Sequence, residues 1–395
     1  LSGWALWAVR PRRGRGAAWA ALIVAAGGLG WFGQAGLHDL HVWLEGRAVA
    51  WFTPESPLRN PNRSLTAIGE VGRLKQSDRI VLRVEPEGRS LPFRLLYEAG
   101  YNRYRNGLWM ASRPGFEAVG QEEGEAAWVL QPGAKEGAAV RVSKRLEKGQ
   151  GVLSLPHGAV RVDSLPVGAL RRSRHGVVRV EKGPGLIRYT VGYVPGRPFP
   201  GPPDEDDLHL TEADARLFTR VAREQGLFSL DSEAALAAVA RYFREGFQYS
   251  LLLEEGPARS AMEHFLEERK AGHCELFATA TVLLLRAAGI PARYAVGYAV
   301  QEYSRLEGCY VARRRHAHAW ALAWVGGAWR AADFTPSTWF QAEADARSPL
   351  EPLLDLWHLA AYGFERWRWR EGGAGLPVGF IGLAAGLVPL LVWRI

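Results

Sequence analysis

The chain has 395 residues, 48% of them hydrophobic and 23% charged, which excludes a disordered chain and leaves room for two or three domains. Its net charge is +8 with a pI near 9.6. The basic residues are mostly scattered arginines with no aromatic-interleaved stripe, so nucleic acid is not an expected partner.

In chain order, the first element is a stretch of 22 residues without charge between Arg15 and His38. A second such stretch of 22 lies between Glu371 and Arg394. At about 1.5 Å per residue each reaches roughly 33 Å, enough to cross a hydrocarbon core of about 30 Å. The expectation is a basic cytoplasmic segment and transmembrane helix over 1–37 and a second helix over 372–393. Arg10, Arg12, Arg13 and Arg15 precede the first span, which puts the N-terminus in the cytoplasm and residues from about 38 to 371 outside. Arg366, Arg368 and Arg370 pull mildly the other way. The expected location is thus the cell membrane, with at least two spans and an extracytoplasmic body.

Residues 38–65 read as a linker. From 66 to 200 short β-like runs follow, RIVLRV (79–84), FRLLYEAG (93–100), AAVRVS (138–143) and LIRYTVGYV (186–194), broken by Gly and Pro clusters, as in an antiparallel β domain. The stretch PGRPFPGPPDEDD (195–207) reads as the domain boundary. Helical patterns come next: Thr211 with Asp214 forms a capping box, Asp231 caps a helix carrying Leu236, Val239, Ala240 and Phe243 on one face, and Ser260 with Glu263 forms another box. A second domain over 208–345 and a juxtamembrane segment over 346–371 complete the layout.

The run from Glu275 to Ala288 is apolar almost all round and reads as a buried helix, closed by Gly289 with Pro291 just beyond. Cys274 sits at its N-terminus, expected to be exposed, where the helix dipole favours thiolate over thiol. Downstream, 316–325 and 328–334 alternate as strands around Gly326-Gly327, a two-residue hairpin turn. If Val325 faces Ala328, then Trp320 faces Asp333 and His318 faces Thr335. His318 and Asp333 then share a face as diagonal neighbours roughly 7 Å apart, with His316 one step farther. Cys, His and Asp together supply a nucleophile, a base and an orienting group. Two alternatives compete: a Cys274–Cys309 disulfide, and zinc bound by Cys274, His273, His316 and His318, although that spacing matches no common zinc pattern.

The GHCELFATA…LLRAAGIPARYAVGY, HAHAW and DFTP blocks, in that order, resemble the three core motifs of the transglutaminase-like superfamily over about 208–345. The whole layout is similar to bacterial membrane-anchored members of it, although a single span precedes the core here. The resemblance implies an α+β fold: a papain-like transglutaminase core preceded by an antiparallel β domain and flanked by transmembrane helices. It makes Cys274 the nucleophile, His318 the base and Asp333 the orienting group. It also implies amide acyl transfer on a protein or peptide substrate through a thioester, with no cofactor and no metal. Tyr249 in FQYS (247–250) is a candidate second oxyanion donor beside the Cys274 N–H, or a core aromatic; His316 and Trp320 are candidates for the substrate cleft. Three classes stay open: amide acyltransferase, cysteine peptidase or amidase on the same triad, and a non-catalytic extracytoplasmic scaffold.

Overall fold

The structure, a computed structural model, describes residues 65–368 apart from 76, 89–90, 123–125, 135–136, 199–200, 252–260, 346 and 349–350. Both candidate membrane spans, the segment 38–64 and Ser260 of the second capping box lie outside the described residues. No helix among the described residues is long and apolar enough to cross a membrane.

Among the described residues, twelve strands build the two main sheets: β1 (Ile80–Pro86), β2 (Leu95–Tyr101), β3 (Trp128–Val129), β4 (Ala138–Arg145), β5 (Leu155–Pro156), β6 (Ala159–Asp163), β7 (Leu186–Tyr193), β8 (Ala292–Ala299), β9 (Glu302–Ser304), β10 (Cys309–Arg313), β11 (Ala317–Val325) and β12 (Ala328–Ala332). The β-like runs of the sequence are here. Alternation accounts for them: β4 buries Val140 and Val142, and β7 buries Ile187, Tyr189 and Val191. One sheet has the order β9-β10-β1-β4-β7-β6-β3, the other β5-β2-β8-β11-β12.

That order corrects the expected division into two domains. β2 and β5, from the first half of the chain, complete the sheet holding β8, β11 and β12, and β10 from the second half pairs with β1. One core cluster of buried residues runs through both halves. The acidic boundary segment is itself anchored in it. Asp204 caps a short turn at Glu205–Leu208, and Asp207 makes a buried two-pronged bridge to Arg293 on β8, at 2.8 and 2.7 Å.

Six helices matter for the site: α1 (Glu70–Leu74), α2 (Glu212–Glu224), α3 (Ser232–Gly246), α4 (Cys274–Ala287), α5 (Trp339–Asp345) and α6 (Glu351–Arg368). Thr211 and Asp231 cap α2 and α3 through the N–H groups of Asp214 and Ala234. α4 is buried from Cys274 through Arg286, which is why its sequence shows no polar face. Trp109, which follows a tight Asn106-Gly107 turn, is fully buried. Its Nε1 donates to Thr279 Oγ1 on α4 at 3.0 Å, and its ring stacks on Tyr294 of β8 at 5.0 Å.

Gly297 on β8 pairs with His318 and lies where β2 approaches most closely: a Cβ there would stand 1.9 Å from the Leu96 carbonyl oxygen. Gly363 in α6 has nothing within 4 Å of the same position. Gly297→Ala is therefore expected to cost about 1–3 kcal/mol or more by forcing a backbone shift, whereas Gly363→Ala should gain about 0.5–1 kcal/mol. Thermal melts of the two variants beside the parent check both signs.

Candidate functional site

The β11–β12 hairpin fixes the first two members of the site. Gly326 and Gly327 both have positive φ, 61° and 75°, as a two-residue hairpin turn of this hand requires. Val325 pairs with Ala328 and Ala321 with Ala332, so Asp333 follows directly from the end of β12. The result is a hydrogen bond of 2.7 Å between His318 Nε2 and Asp333 Oδ2. Asp333 is held in turn by the Thr335 N–H on Oδ1 at 3.2 Å.

His318 is fully buried and lies between two indoles. Trp339 of α5 stacks at 4.7 Å and Trp320 of its own strand at 6.3 Å. Burial acts to lower its pKa, but the Asp333 carboxylate and then Cys274 outweigh that effect and raise it to about 10. Asp333, with its side chain 27% exposed, is correspondingly pulled below the usual carboxylate range by the imidazole, against desolvation. His318 Nδ1 completes no hydrogen bond, and the Cys274 thiol is the second group that favours the charged ring.

Cys274 is the first residue of α4, so its N–H has no intrahelical acceptor and lies at the positive end of the helix dipole. The expectation that it is exposed is corrected: its relative exposure is 0%. His273 caps the helix, its Nδ1 accepting the Glu275 N–H at 3.3 Å, and burial, with a push from Lys75, lowers its pKa to about 3. Glu275 is wholly buried. Its Oε2 accepts the N–H groups of Gly69 at 2.9 Å and Gly72 at 3.1 Å, which fastens α1 to the nucleophile helix. Burial pushes its carboxyl up to about 7.

Tyr249 reaches the site through a short parallel pairing of Gln248–Tyr249 with Ala271–Gly272. Its hydroxyl donates to Glu343 Oε1 on α5 at 2.6 Å, and Glu343 is ion-paired to Lys75, both side chains 2% exposed. The proton that an oxyanion donor would use is thus held by a carboxylate in this arrangement. Burial, then the charges of Cys274 and Glu343, raise the phenol's pKa. Lys75 also donates to the carbonyl of Ala317, next to His318, at 3.1 Å.

The cleft expected at His316 and Trp320 is not open. His316 ends a 3₁₀ turn, Arg314–His316, instead of extending the strand; its Nδ1 accepts the Arg313 N–H at 3.2 Å and its Nε2 lies 3.6 Å from Glu302. It is 3% exposed, and burial with Arg315 and Arg313 depresses its pKa. Trp320 is buried between His318 and Tyr97. The four residues weighed as zinc ligands do not converge on one point. Both cysteines are free, and Cys309 packs with Ile80 and Val311, where burial pushes its thiol up to about 11.

Sequence reasoning missed Lys75, Glu343, Trp339 and the anchoring role of Glu275. Only Glu275 and Trp339 carried a local signal, being adjacent to the Cys274 and DFTP blocks. Lys75 and Glu343 stand 268 residues apart and meet only in the fold.

A thiol at a buried helix N-terminus, with an imidazole that it influences and that a carboxylate holds, defines a papain-like cysteine site. Residues 219–334 match the family model described as the transglutaminase-like superfamily, and the chain carries the core domain of that superfamily. A 63-residue stretch is 41% identical to the uncharacterized protein YebA of Bacillus subtilis, covering 15% of this chain and 8% of that protein. A 90-residue stretch is 36% identical to a protein-glutamine gamma-glutamyltransferase of Pseudomonas aeruginosa, covering 22% and 13%. The chain thus matches less than a sixth of the length of either relative. The fold is similar to the crystal structure of the periplasmic domain of TgpA from Pseudomonas aeruginosa bound to ethylmercury, with a TM-score of 0.54 at 21% identity over 72% of this chain and 99% of that one.

Asp333→Asn removes the leading charge that keeps His318 protonated, so the His318 pKa falls from about 10. If the thiolate–imidazolium pair is the reactive form, the alkaline limb of Cys274 alkylation by iodoacetamide moves to lower pH in the variant. Rates of alkylation between pH 5 and about 10 measure the shift. Identical limbs in both proteins would contradict the assignment. Glu343→Ala strands the buried Lys75 charge and is expected to cost about 3–5 kcal/mol, while Lys75→Met with Glu343→Gln recovers most of the loss in a urea melt.

Proposed function

We propose that the domain is a cysteine-dependent amide acyltransferase of transglutaminase type, acting on protein or peptide amides. The observation that carries the reading is the 2.7 Å His318–Asp333 bond beside the helix-terminal Cys274, all within the segment 219–334. Cys274 is the nucleophile, His318 the acid in the first half-reaction and the base in the second, and Asp333 the group that holds the ring.

In the first half-reaction the Cys274 thiolate attacks the amide carbonyl and forms a C–S bond. The Cys274 N–H faces the developing oxyanion. The His318 imidazolium gives its proton to the amide nitrogen, the C–N bond breaks, and ammonia or an amine leaves a thioester. In the second half-reaction a new amine attacks the thioester carbonyl, its proton passes to His318, and the C–S bond breaks to release the new amide and the thiolate. Water in place of the amine gives hydrolysis and a carboxylic acid.

The closure of the site supports transfer over hydrolysis. Cys274 and His318 have no exposed surface, and Trp339 covers the imidazole. A thioester held there meets water only when the cover moves, which favours an amine that binds and moves it. The printed name of the Pseudomonas relative supports the same chemistry. We further read the protein as membrane-anchored with this domain outside the cytoplasm. Four arginines before the first uncharged stretch support that topology, as does the likeness to a domain described as periplasmic.

The reading is tested by incorporation of a fluorescent primary amine into a glutamine-containing protein, with ammonia measured in parallel. Cys274→Ala and His318→Ala are expected to lose incorporation by about three orders of magnitude or more with the fold intact. His316→Ala should keep turnover within about tenfold but melt earlier, because His316 caps a buried turn. Ammonia release without incorporation would replace transfer with hydrolysis. Undiminished turnover in Cys274→Ala would end the catalytic reading.

A further inference from the structure

The last described helix, α6, has its amphipathy reversed. Glu351, Asp355, His358 and Tyr362 recur at i, i+4, i+7 and i+11, so they share one face, and this face is turned to the protein. Arg313 grips Asp355 with two nitrogens at 2.7 and 2.9 Å, and Arg315 holds Glu351 at 2.8 Å. Tyr362 donates to Ser143 Oγ at 3.0 Å, and the Arg83 guanidinium lies 3.9 Å over its ring. The opposite side carries Leu356, Trp357 and Phe364, which are 49%, 65% and 38% exposed. A helix on a water-facing surface has the reverse arrangement, apolar inward and charged outward.

Five of the eight exposed large apolar side chains among the described residues belong to this region. Three are on α6. Tyr303 and Leu306 are on the β9–β10 hairpin, which Arg83 joins to α6 by bonding Glu307 at 2.9 Å while stacking on Tyr362. A concentrated exposed apolar face marks a surface that something apolar covers.

We propose that the outer face of α6 is an interfacial element that rests on the lipid headgroup–acyl boundary. The sequence points to lipid as the occupant. α6 runs into Arg366-Trp367-Arg368-Trp369-Arg370, and one residue later the uncharged stretch 372–393 begins. Alternating arginine and tryptophan suit that boundary: the cations meet lipid phosphates, and indoles concentrate at that depth. If 372–393 enters the bilayer, α6 is held within a few residues of its surface, and Leu356, Trp357 and Phe364 leave water by inserting shallowly. The ion pairs on the inner face then tie the membrane contact to Arg313 and Arg315, on the segment leading into β11 and His318. This inference does not depend on the reaction proposed above.

The test uses the full chain in phosphatidylcholine–phosphatidylglycerol vesicles, with Cys274→Ala and Cys309→Ser removing the native thiols. Trp357→Cys, Phe364→Cys and, as a control on the exposed β region, Arg171→Cys each carry an environment-sensitive NBD label. The expected result is blue-shifted emission at 357 and 364, quenched by lipid bearing a shallow doxyl group at least about twofold more than at 171. Quenching equal at all three positions would overturn the proposal. So would a blue shift at 357 and 364 that ignores the doxyl lipid and grows with protein density, which would mark a second copy as the cover. A melt of each labelled protein, matched to the parent, certifies the fold.

Discussion

The arrangement of the site depends on an imidazole kept charged where there is no water to keep it so. His318 has no exposed surface, and desolvation alone would leave it neutral. Asp333 on Nε2 and, after it, the influence of Cys274 reverse that preference. In a dry, low-dielectric setting each of these charges acts more strongly than it would in solvent. The hairpin register therefore carries much of the chemistry: one residue of slippage would turn Asp333 to the other face and leave the ring buried without its carboxylate.

Around that pair the fold recruits residues from far along the chain. Glu275, beside the cysteine, fixes α1 through two backbone N–H groups. Lys75, just past α1, reaches Glu343 on α5, and Glu343 accepts a hydrogen bond from the Tyr249 hydroxyl. α5 also supplies Trp339, the indole over His318. The strands preceding the core thus do more than precede it: β2 completes its sheet, and the segment around α1 packs at the nucleophile's end of α4. Separating residues 208–345 as an independent unit would expose the edge of β8 and leave Glu343 without its cation.

The sequence was legible where the physics is local. Gly326-Gly327 between two alternating runs set the register that joins His318 to Asp333, and an apolar stretch closed by Gly289 and Pro291 marked α4. Thr211 and Asp231 announced their caps. What escaped was long-range or depended on burial. The exposure expected at Cys274 follows from a helix terminus alone, whereas in the folded chain the residue has no exposed surface. His316 looked like the strand position before His318, yet Arg313 and Arg315, bonded to Glu302, Asp355 and Glu351, pull that segment into a turn. The Pro- and acid-rich stretch at 195–207 looked like a domain boundary, whereas Asp207 bridges to Arg293 in the core.

The central claim is that Cys274 receives an acyl group from an amide, with His318 moving the proton. Intact-mass analysis of the protein quenched in acid shortly after mixing with a glutamine-containing peptide, followed by peptide mapping, tests it most directly. The account predicts an adduct of the peptide mass less ammonia on Cys274, labile to hydroxylamine, which is absent in His318→Ala. A protein that turns the peptide over without any such adduct, or carries it on another residue, would contradict the account.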